Sequence, residues 1–467
     1  MTDGVSQRIV VVGGDAAGMS AAHQALRAAR SAGREVAVTV IEATDHTSYS
    51  ACGIPYWIAG DVASGEELVA RTAEEHRAAG VDLRLGARAT AIDVEDRTVT
   101  HEVDGVSSTM SYDDLVLATG ASPIPPDWAC GPDGPVGGVH AVKNLDDGAL
   151  WVDLLAATAR RVTDRAPRAV VVGGGYIGIE MAEALLRRGF STTLITRGRV
   201  MGSLDEDLGG RIGVGLVEAG VELRTGATVE RLETTEGRVE AVVTAAGERF
   251  TADVVVPALG VEPATALGRA AGLAVGSHGG YLPDPGGRIA PGVWAAGDCC
   301  EVEHRMSGRP TFLALGTHAN KLGRIVGDNL LGGDRRFGGA LGTAITRFVA
   351  GSVHLEIART GLSTAEATTH GHDVVSLVTE GTTASGYMPE ATPIATKVIA
   401  DRQTRRLLGV QIVGGEGSAK RIDAAAAALW GGLDVDDLAG MDLSYAPPFA
   451  TVWDALQIAA RRLAERI

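Results

Sequence analysis

Cysteine is scarce in this chain: 467 residues hold four, Cys52, Cys130, Cys299 and Cys300. So few thiols exclude a disulfide framework and fit a reducing compartment. Aromatic residues make up only 4%. Positive charge is also short, with 42 Lys and Arg against 58 Asp and Glu, a net charge of −16. A field of that sign speaks against nucleic acid or an anionic membrane as the main partner. Any phosphate ligand must then be held by backbone amides or a few placed cations. No uninterrupted apolar run of about 18 residues occurs, so no membrane-spanning helix is expected. The start, MTDGVSQRIVVVGG, lacks the cationic head and long apolar run of a signal peptide, and a cytoplasmic protein is expected. What the chain has in excess is glycine: 63 residues, about 13% against a usual 7%. That excess suits tight turns and close approach of backbone to ligand. The length is about three domains' worth.

The order of elements is informative. Ile9 to Val12 reads as a buried parallel strand, residues 13–18 as a glycine turn, and Met19 to about Arg30 as a helix. A second strand, Val36 to Ile41, runs into Glu42. LVLATG (115–120) is another apolar strand, and residues 121–138, with five prolines and four glycines, read as a loop. The unit then recurs 160 residues on: strand 169–172, the glycine loop 173–178, a helix to about Arg188, and a strand 192–195 that runs into Thr196 and Arg197. A third stretch, 293–298, again reads as a strand followed by a glycine and an acid, Gly297 and Asp298, with a helix from about Thr317 to Leu331. From about residue 338 the texture changes. Segments 397–400 and 408–413 suggest an antiparallel sheet, and helices are expected over 418–431 and 452–465.

Strand, glycine turn, helix, strand and acid form a dinucleotide-binding unit. The first glycine makes the turn, the middle one admits the pyrophosphate, and the third lets helix and strand pack closely. Helix amides then hold phosphate without basic side chains. In the first copy, Gly13, Gly14, Asp15, Ala16, Ala17 and Gly18, an aspartate takes the middle-glycine place, while Glu42 is placed to hold ribose hydroxyls. The second copy, Gly173, Gly174, Gly175, Tyr176, Ile177 and Gly178, is intact, but Thr196 replaces the acid, with Arg197 and Arg199 following. Loss of the acid and gain of cations favours a 2′-phosphate, hence NADPH over NADH. Two solvated surface arginines are the alternative.

Two such sites in one chain suggest electron transfer between two dinucleotides. The segments VVVGGDAAGMSAA (10–22), LVLATGASP (115–123), VVVGGGYIGIEMAE (170–183) and VWAAGDC (293–299) resemble, in content and order, the pyridine nucleotide–disulfide oxidoreductases. The resemblance implies an α/β fold of two Rossmann-like domains plus a C-terminal α+β dimerisation domain. The expected divisions are 1–145 with 255–335 for FAD, 146–254 for NAD(P)H, and 336–467 for the interface. It implies FAD on the first loop with Glu42, Thr119, Gly120 and Asp298, and the nicotinamide nucleotide on the second. A homodimer is expected.

Cys52 lies just past the first unit's second strand, three residues before Pro55, a residue suited to a helix's first turn. A helix end there would favour thiolate, whereas a small buried hydrophobe is the bland alternative. Dithiol reductases of this superfamily carry a second cysteine five residues away; here Trp57 and Thr47 hold those places. That leaves a single-cysteine branch cycling through a mixed disulfide or sulfenic acid. CGIPYWIAG (52–60), GYMPEATP (386–393) and DLSYAPPFATVWD (442–454) resemble the coenzyme A–disulfide reductases of that branch. The resemblance implies Tyr387 and Tyr445, from a partner subunit, as groups assisting the leaving thiol, with interface packing as the alternative. It also implies Gln24, Arg27 and Ser48 as contacts of a CoA-type disulfide or persulfide substrate. Two departures stand out: Ala51 replaces the usual asparagine before the cysteine, and Thr451 replaces a proline. Ala16 stands where sibling peroxidases carry histidine. Cys299 and Cys300 read as packing, Cys130 as incidental, and His370 and His372 as solvated rather than metal ligands. The expected activity is therefore an FAD-dependent NAD(P)H:disulfide oxidoreductase. An oxygen-reducing NAD(P)H oxidase and a ferredoxin-type electron-transfer reductase are the alternatives.

Overall fold

The structure, a computed structural model, describes residues 6–131 and 134–467. The chain divides into two compact units. The first comprises the residues up to Gly53, Ser64–Ile124 and Val261–Ala340; the second comprises Ile54–Ala63, Pro125–Gly260 and Leu341–Ile467.

The first unit is built on a six-stranded sheet in the order Arg288–Ala290, Val293–Ala295, Asp114–Leu117, Gln7–Val12, Val36–Ile41, Val81–Arg84. All neighbours are parallel except the first pair. Its central strands are near-continuous Val, Ile and Leu because both faces are covered. Ile9, Val11, Val40, Leu115, Val116 and Leu117 are all at most 1% exposed. The helix Ala16–Ser31 packs against the helix Gly316–Asn329 at backbone distance. A Cβ on Gly323 would sit 2.3 Å from the Ala17 carbonyl oxygen, and one on Gly327 2.4 Å from that of Ala21. The small residues of both helices thus serve the approach of two helix axes. A three-stranded antiparallel sheet, Arg88–Asp93, Thr98–Val103 and Val106–Ser111, also belongs to this unit.

The second unit repeats the dinucleotide architecture. A four-stranded parallel sheet runs Glu222–Thr225, Ser191–Thr196, Arg168–Val172, Val254–Pro257. It also contains a five-stranded antiparallel sheet: Ala344–Ala350, Val353–Gly361, Leu407–Gly414, Pro393–Asp401 and Val374–Thr382. The expected strand segments 397–400 and 408–413 lie inside two of these. The expected terminal helices are Ile422–Gly431, after a 3₁₀ turn at Ala419–Arg421, and Ala455–Ala464.

Three local expectations are corrected. The first helix starts at Ala16 rather than Met19, with Asp15 as its N-cap, because the last glycine-loop residues already take helical geometry. The strand read over 115–120 ends at Leu117, where Gly120 turns the chain with φ +71°. The proline-rich stretch 121–138 is not all loop. Ala121–Pro123 pairs with Val261–Pro263, and Cys130–Gly131 pairs with Gly134–Pro135. Residues 132 and 133 of that stretch lie outside the described residues.

Candidate active site

The parallel strands of the first unit end at one edge, where Gly13, Glu42, Thr119 and Asp298 follow their last residues. Gly13 has φ +108°, donates its N–H to the Ile41 carbonyl at 2.9 Å, and would place a Cβ 2.1 Å from the Ala118 oxygen. Only glycine fits there. A Cβ on Gly18 would lie 1.9 Å from the Gly13 oxygen. Asp15, by contrast, has φ −116° and ψ −151°, an ordinary extended backbone that admits a side chain. It makes no side-chain cap, so the first helical amides keep their phosphate-binding character. The Glu42 carboxylate accepts the Gly14 N–H, the Thr44 N–H and the Thr44 hydroxyl, each at 2.8 Å. With about four acceptor positions on a carboxylate, those contacts orient Glu42 and leave capacity for a ribose hydroxyl. The Thr119 hydroxyl donates to the Ala264 carbonyl at 2.6 Å. Asp298 follows Gly297, whose φ of +90° turns the chain, and precedes the buried Cys299. Cys299 and Cys300 are at most 2% exposed, their sulfurs 3.9 Å apart, and burial pushes the Cys300 thiol well up. Both are packing, as the sequence suggests.

In the second unit Gly173 has φ +119° and would place a Cβ 2.1 Å from the Ala258 oxygen. Gly178 would place one 2.0 Å from the Gly173 oxygen, and Gly175 is the N-cap of the helix Tyr176–Arg187. This cradle admits a second pyrophosphate. The two arginines expected to read a 2′-phosphate are both exposed and line one surface depression of about 640 Å³. Arg199 also donates, through one terminal nitrogen, to the carbonyls of Leu204 at 2.8 Å and Gly202 at 3.4 Å. Thr196, in the acid's place, is buried.

The helix after this loop carries two acids that local pattern alone did not single out. Glu180 accepts the Thr346 hydroxyl at 2.7 Å. Burial, aided by the charge of Glu183, pushes its carboxyl up to about 7. Glu183, 2% exposed, accepts the Val349 N–H at 2.8 Å and Arg187 at 3.3 Å. Arg187 and Arg347 meet on Asp61, the latter at 2.7 Å, and the Arg347 guanidinium lies 5.0 Å over the Tyr56 ring. The readable signal was an acid pair at i and i+3 on an otherwise apolar helix.

Cys52 is exposed, in the 3₁₀ turn Ala51–Gly53, which runs directly into the helix Ile54–Ala59 with Pro55 in its first turn. The buried-hydrophobe alternative therefore fails. The hook before it is fixed from two directions. The Thr47 hydroxyl donates to the Gly14 carbonyl at 2.6 Å, tying the hook to the first glycine loop. Residues 48–50 pair with 68–70: Ala70 N–H donates to Ser48 O and Ser50 N–H to Leu68 O, both at 2.8 Å. Gly53 sits against the Leu68 side chain, where a Cβ would come within 2.3 Å. Ser48 has φ +47°, and its hydroxyl meets His76 Nε2 at 2.9 Å. Gln24 is buried, and its amide is committed to Asp328 at 2.6 Å and to Arg27 Nε at 3.0 Å. Gln24 thereby orients Arg27, which itself is exposed.

Tyr387 and Tyr445 are 75% and 47% exposed and share the surface with Phe449, Val452 and Trp453. Their loops are clamped by Arg421, which donates to the carbonyls of Thr383 and Phe449 and, through Nε, to Asp454 at 2.9 Å. Among the described residues no His, Cys, Asp and Glu group could hold a metal, and no helix is long and apolar enough to cross a membrane. His372 faces Asp401 at 3.3 Å, an ion-pair geometry rather than a ligand set.

The family model described as pyridine nucleotide-disulphide oxidoreductase matches residues 7–318, and that family's dimerisation domain matches residues 350–456. The chain is 38% identical over 463 residues to the NAD(P)H sulfur oxidoreductase (CoA-dependent) of Pyrococcus abyssi, covering 98% of each. It is 31% identical to an NADH oxidase of Methanocaldococcus jannaschii, covering 97% of this chain and 98% of that one. Among solved structures, the NAD-dependent persulfide reductase from A. fulgidus superposes with a TM-score of 0.91 at 32% identity, over 98% of this chain and 83% of that one. With paired glycine cradles, a cysteine hook and a match along nearly its whole length, the chain belongs to the pyridine nucleotide-disulphide oxidoreductase family.

Proposed function

We propose that the chain is an FAD-dependent NAD(P)H oxidoreductase that reduces the disulfide or persulfide sulfur of a CoA-type thiol through one redox-active cysteine, Cys52. One observation carries the reading: Cys52 stands exposed on a hook tied to the first dinucleotide cradle, with Thr47 and Trp57 where a second thiol would be. Gly13, Gly14, Asp15, Ala16, Ala17, Gly18, Glu42, Thr119, Gly120 and Asp298 would hold FAD. Bound there, FAD accepts hydride from the nicotinamide and supplies electrons to sulfur. Gly173, Gly175, Tyr176, Ile177 and Gly178 would hold the nucleotide, with Arg197 and Arg199 toward a 2′-phosphate, favouring NADPH. In this reading the domains divide as 1–145 with 255–335, 146–254 and 336–467, and the protein works as a homodimer.

The chain's own chemistry is thiol exchange. Two electrons cleave the mixed disulfide Cys52–S–S–R, leaving the Cys52 thiolate and a substrate thiolate, RS⁻. The Cys52 thiolate then attacks the next disulfide, forming a new mixed disulfide and releasing another RS⁻. Each departing thiolate takes a proton from a phenol, Tyr387 or Tyr445 of a second copy of the chain. Ser48 and Arg27 hold the substrate. The M. jannaschii relative's name favours one second reading, oxygen reduction with Cys52 cycling through sulfenic acid.

Anaerobic NADPH consumption with CoA disulfide tests the first reading, which requires Cys52→Ser to abolish turnover. Full turnover by that variant with every disulfide and persulfide overturns it. Mass spectrometry of the isolated protein separates the two: a CoA-sized adduct on Cys52 supports reduction of CoA disulfides, a lone sulfenate the oxidase.

A further inference from the structure

We propose that His23 and His76 form a proton-directing relay that makes the Ser48 hydroxyl an acceptor toward the substrate, suited to an amide N–H of a pantetheine-type arm. The proposal rests on the reading of the chain as a reductase of CoA-type disulfides.

The geometry is a continuous line of contacts within the first unit. Arg71 Nη1 lies 3.3 Å from His23 Nε2, His23 Nε2 lies 2.7 Å from His76 Nδ1, and His76 Nε2 lies 2.9 Å from Ser48 Oγ. Arg71 sets the direction of the hydrogens, because a guanidinium has donors only. His23 Nε2 therefore presents its lone pair. The hydrogen between the rings then belongs to His76 Nδ1, and His76 Nε2 is left as an acceptor. Ser48 must donate inward to it, which leaves the serine oxygen as an acceptor outward. The imidazole centroids are 4.9 Å apart with planes tilted 42°. His76 is 1% exposed, so it cannot turn its hydrogen bonds to water. The Ser48 backbone, at φ +47° with its carbonyl held by Ala70, is equally fixed.

The surroundings keep the pair uncharged. Arg27 and Arg30 face His23 from its own helix, Arg71 faces both rings, and the acid Glu75 faces His76. Burial pushes His76 down to about 4, helped by His23 and Arg71, and lowers His23 as well. Protonation would turn both nitrogens of His76 into donors and reverse the Ser48 hydroxyl. Nothing in thiol exchange uses this pair, and no local pattern joins His23, Ser48 and His76 in the chain.

Equilibrium titration with CoA of the holoenzyme, reduced anaerobically so that Cys52 carries no adduct, provides the test. At neutral pH, Ser48→Ala and His76→Phe should each weaken CoA binding about fivefold, the loss of one ordinary hydrogen bond. The double variant should be no weaker than either, because His76 acts through Ser48. Additive losses, or full affinity in His76→Phe, overturn the relay. Failure of the wild type to bind CoA instead overturns the substrate reading. As pH falls toward about 4 the wild type's advantage over Ser48→Ala should shrink. Arg71→Met, an exposed change that removes a cation beside His23, should move that shrinkage to higher pH. An unmoved profile removes Arg71's directing role and with it the assigned direction, and this arm decides the matter even if His76→Phe does not fold.

Discussion

Replacing Glu180 by glutamine isolates the cost of an ionisable group beside the second glycine loop. The carboxyl sits among buried side chains with Glu183 on the same helix, and its proton binding is raised from 4.5 to about 7. A rise of that size makes ionisation in the folded protein costlier by about 3 kcal/mol than in the unfolded chain. Between those two values the folded state holds the proton that the unfolded state has lost. The group's stabilising share is therefore complete below 4.5 and is lost as pH rises through 7. Glu180→Gln keeps an oxygen to accept the Thr346 hydroxyl now bonded at 2.7 Å, and it cannot ionise. Thermal unfolding of the holoenzyme, followed from pH about 5 to about 8 for both proteins, reads the difference directly. The curves should meet at the acid end, and the variant should melt several degrees above wild type at the alkaline end. Parallel curves across the whole range would mean that Glu180 ionises as freely as in water, and the argument would fail.

Gly13→Ala should yield protein without flavin absorbance, because φ of +108° is closed to alanine and its Cβ would lie 2.1 Å from a backbone oxygen; a yellow variant with full flavin content refutes that role. Arg197→Glu should lower kcat/KM for NADPH by roughly tenfold to a hundredfold, the worth of a charged hydrogen bond to phosphate, with NADH little changed; equal loss with both nucleotides counts against 2′-phosphate reading. Arg421→Met leaves Asp454 without its guanidinium and removes the donor to three carbonyls, those of Thr383, Gly417 and Phe449, a change worth about 3–5 kcal/mol. Limited proteolysis should then cut within 383–392 and 442–454, and resistance equal to wild type would show that the clamp is dispensable.

What the sequence disclosed and what it hid follow from how far each interaction reaches along the chain. Gly13 and Gly173 were legible because the turn after a buried strand demands a positive φ within a few residues, and the motif is that demand written locally. Asp15 breaks the written pattern without breaking the cradle, since its backbone is extended and needs no glycine. Cys52 was legible by its neighbours and by the missing second thiol. The bonds that hold its hook were not: Thr47 reaches back 33 residues to Gly14, and Ser48 forward 28 to His76. Glu180 and Thr346 lie 166 residues apart, Arg421 and Asp454 33. Such pairs exist only after the sheets have formed. Arg199 shows what a motif leaves out: one of its terminal nitrogens is held by carbonyls three and five positions on, while the side chain stays exposed on the depression that Arg197 also lines. A basic residue after the second strand of a dinucleotide unit is therefore not a phosphate ligand until its local acceptors are accounted for. On the proposed reading Arg197 and Arg199 together meet a 2′-phosphate, so Arg197→Glu should weaken the preference for NADPH and substitution of both arginines should reverse it.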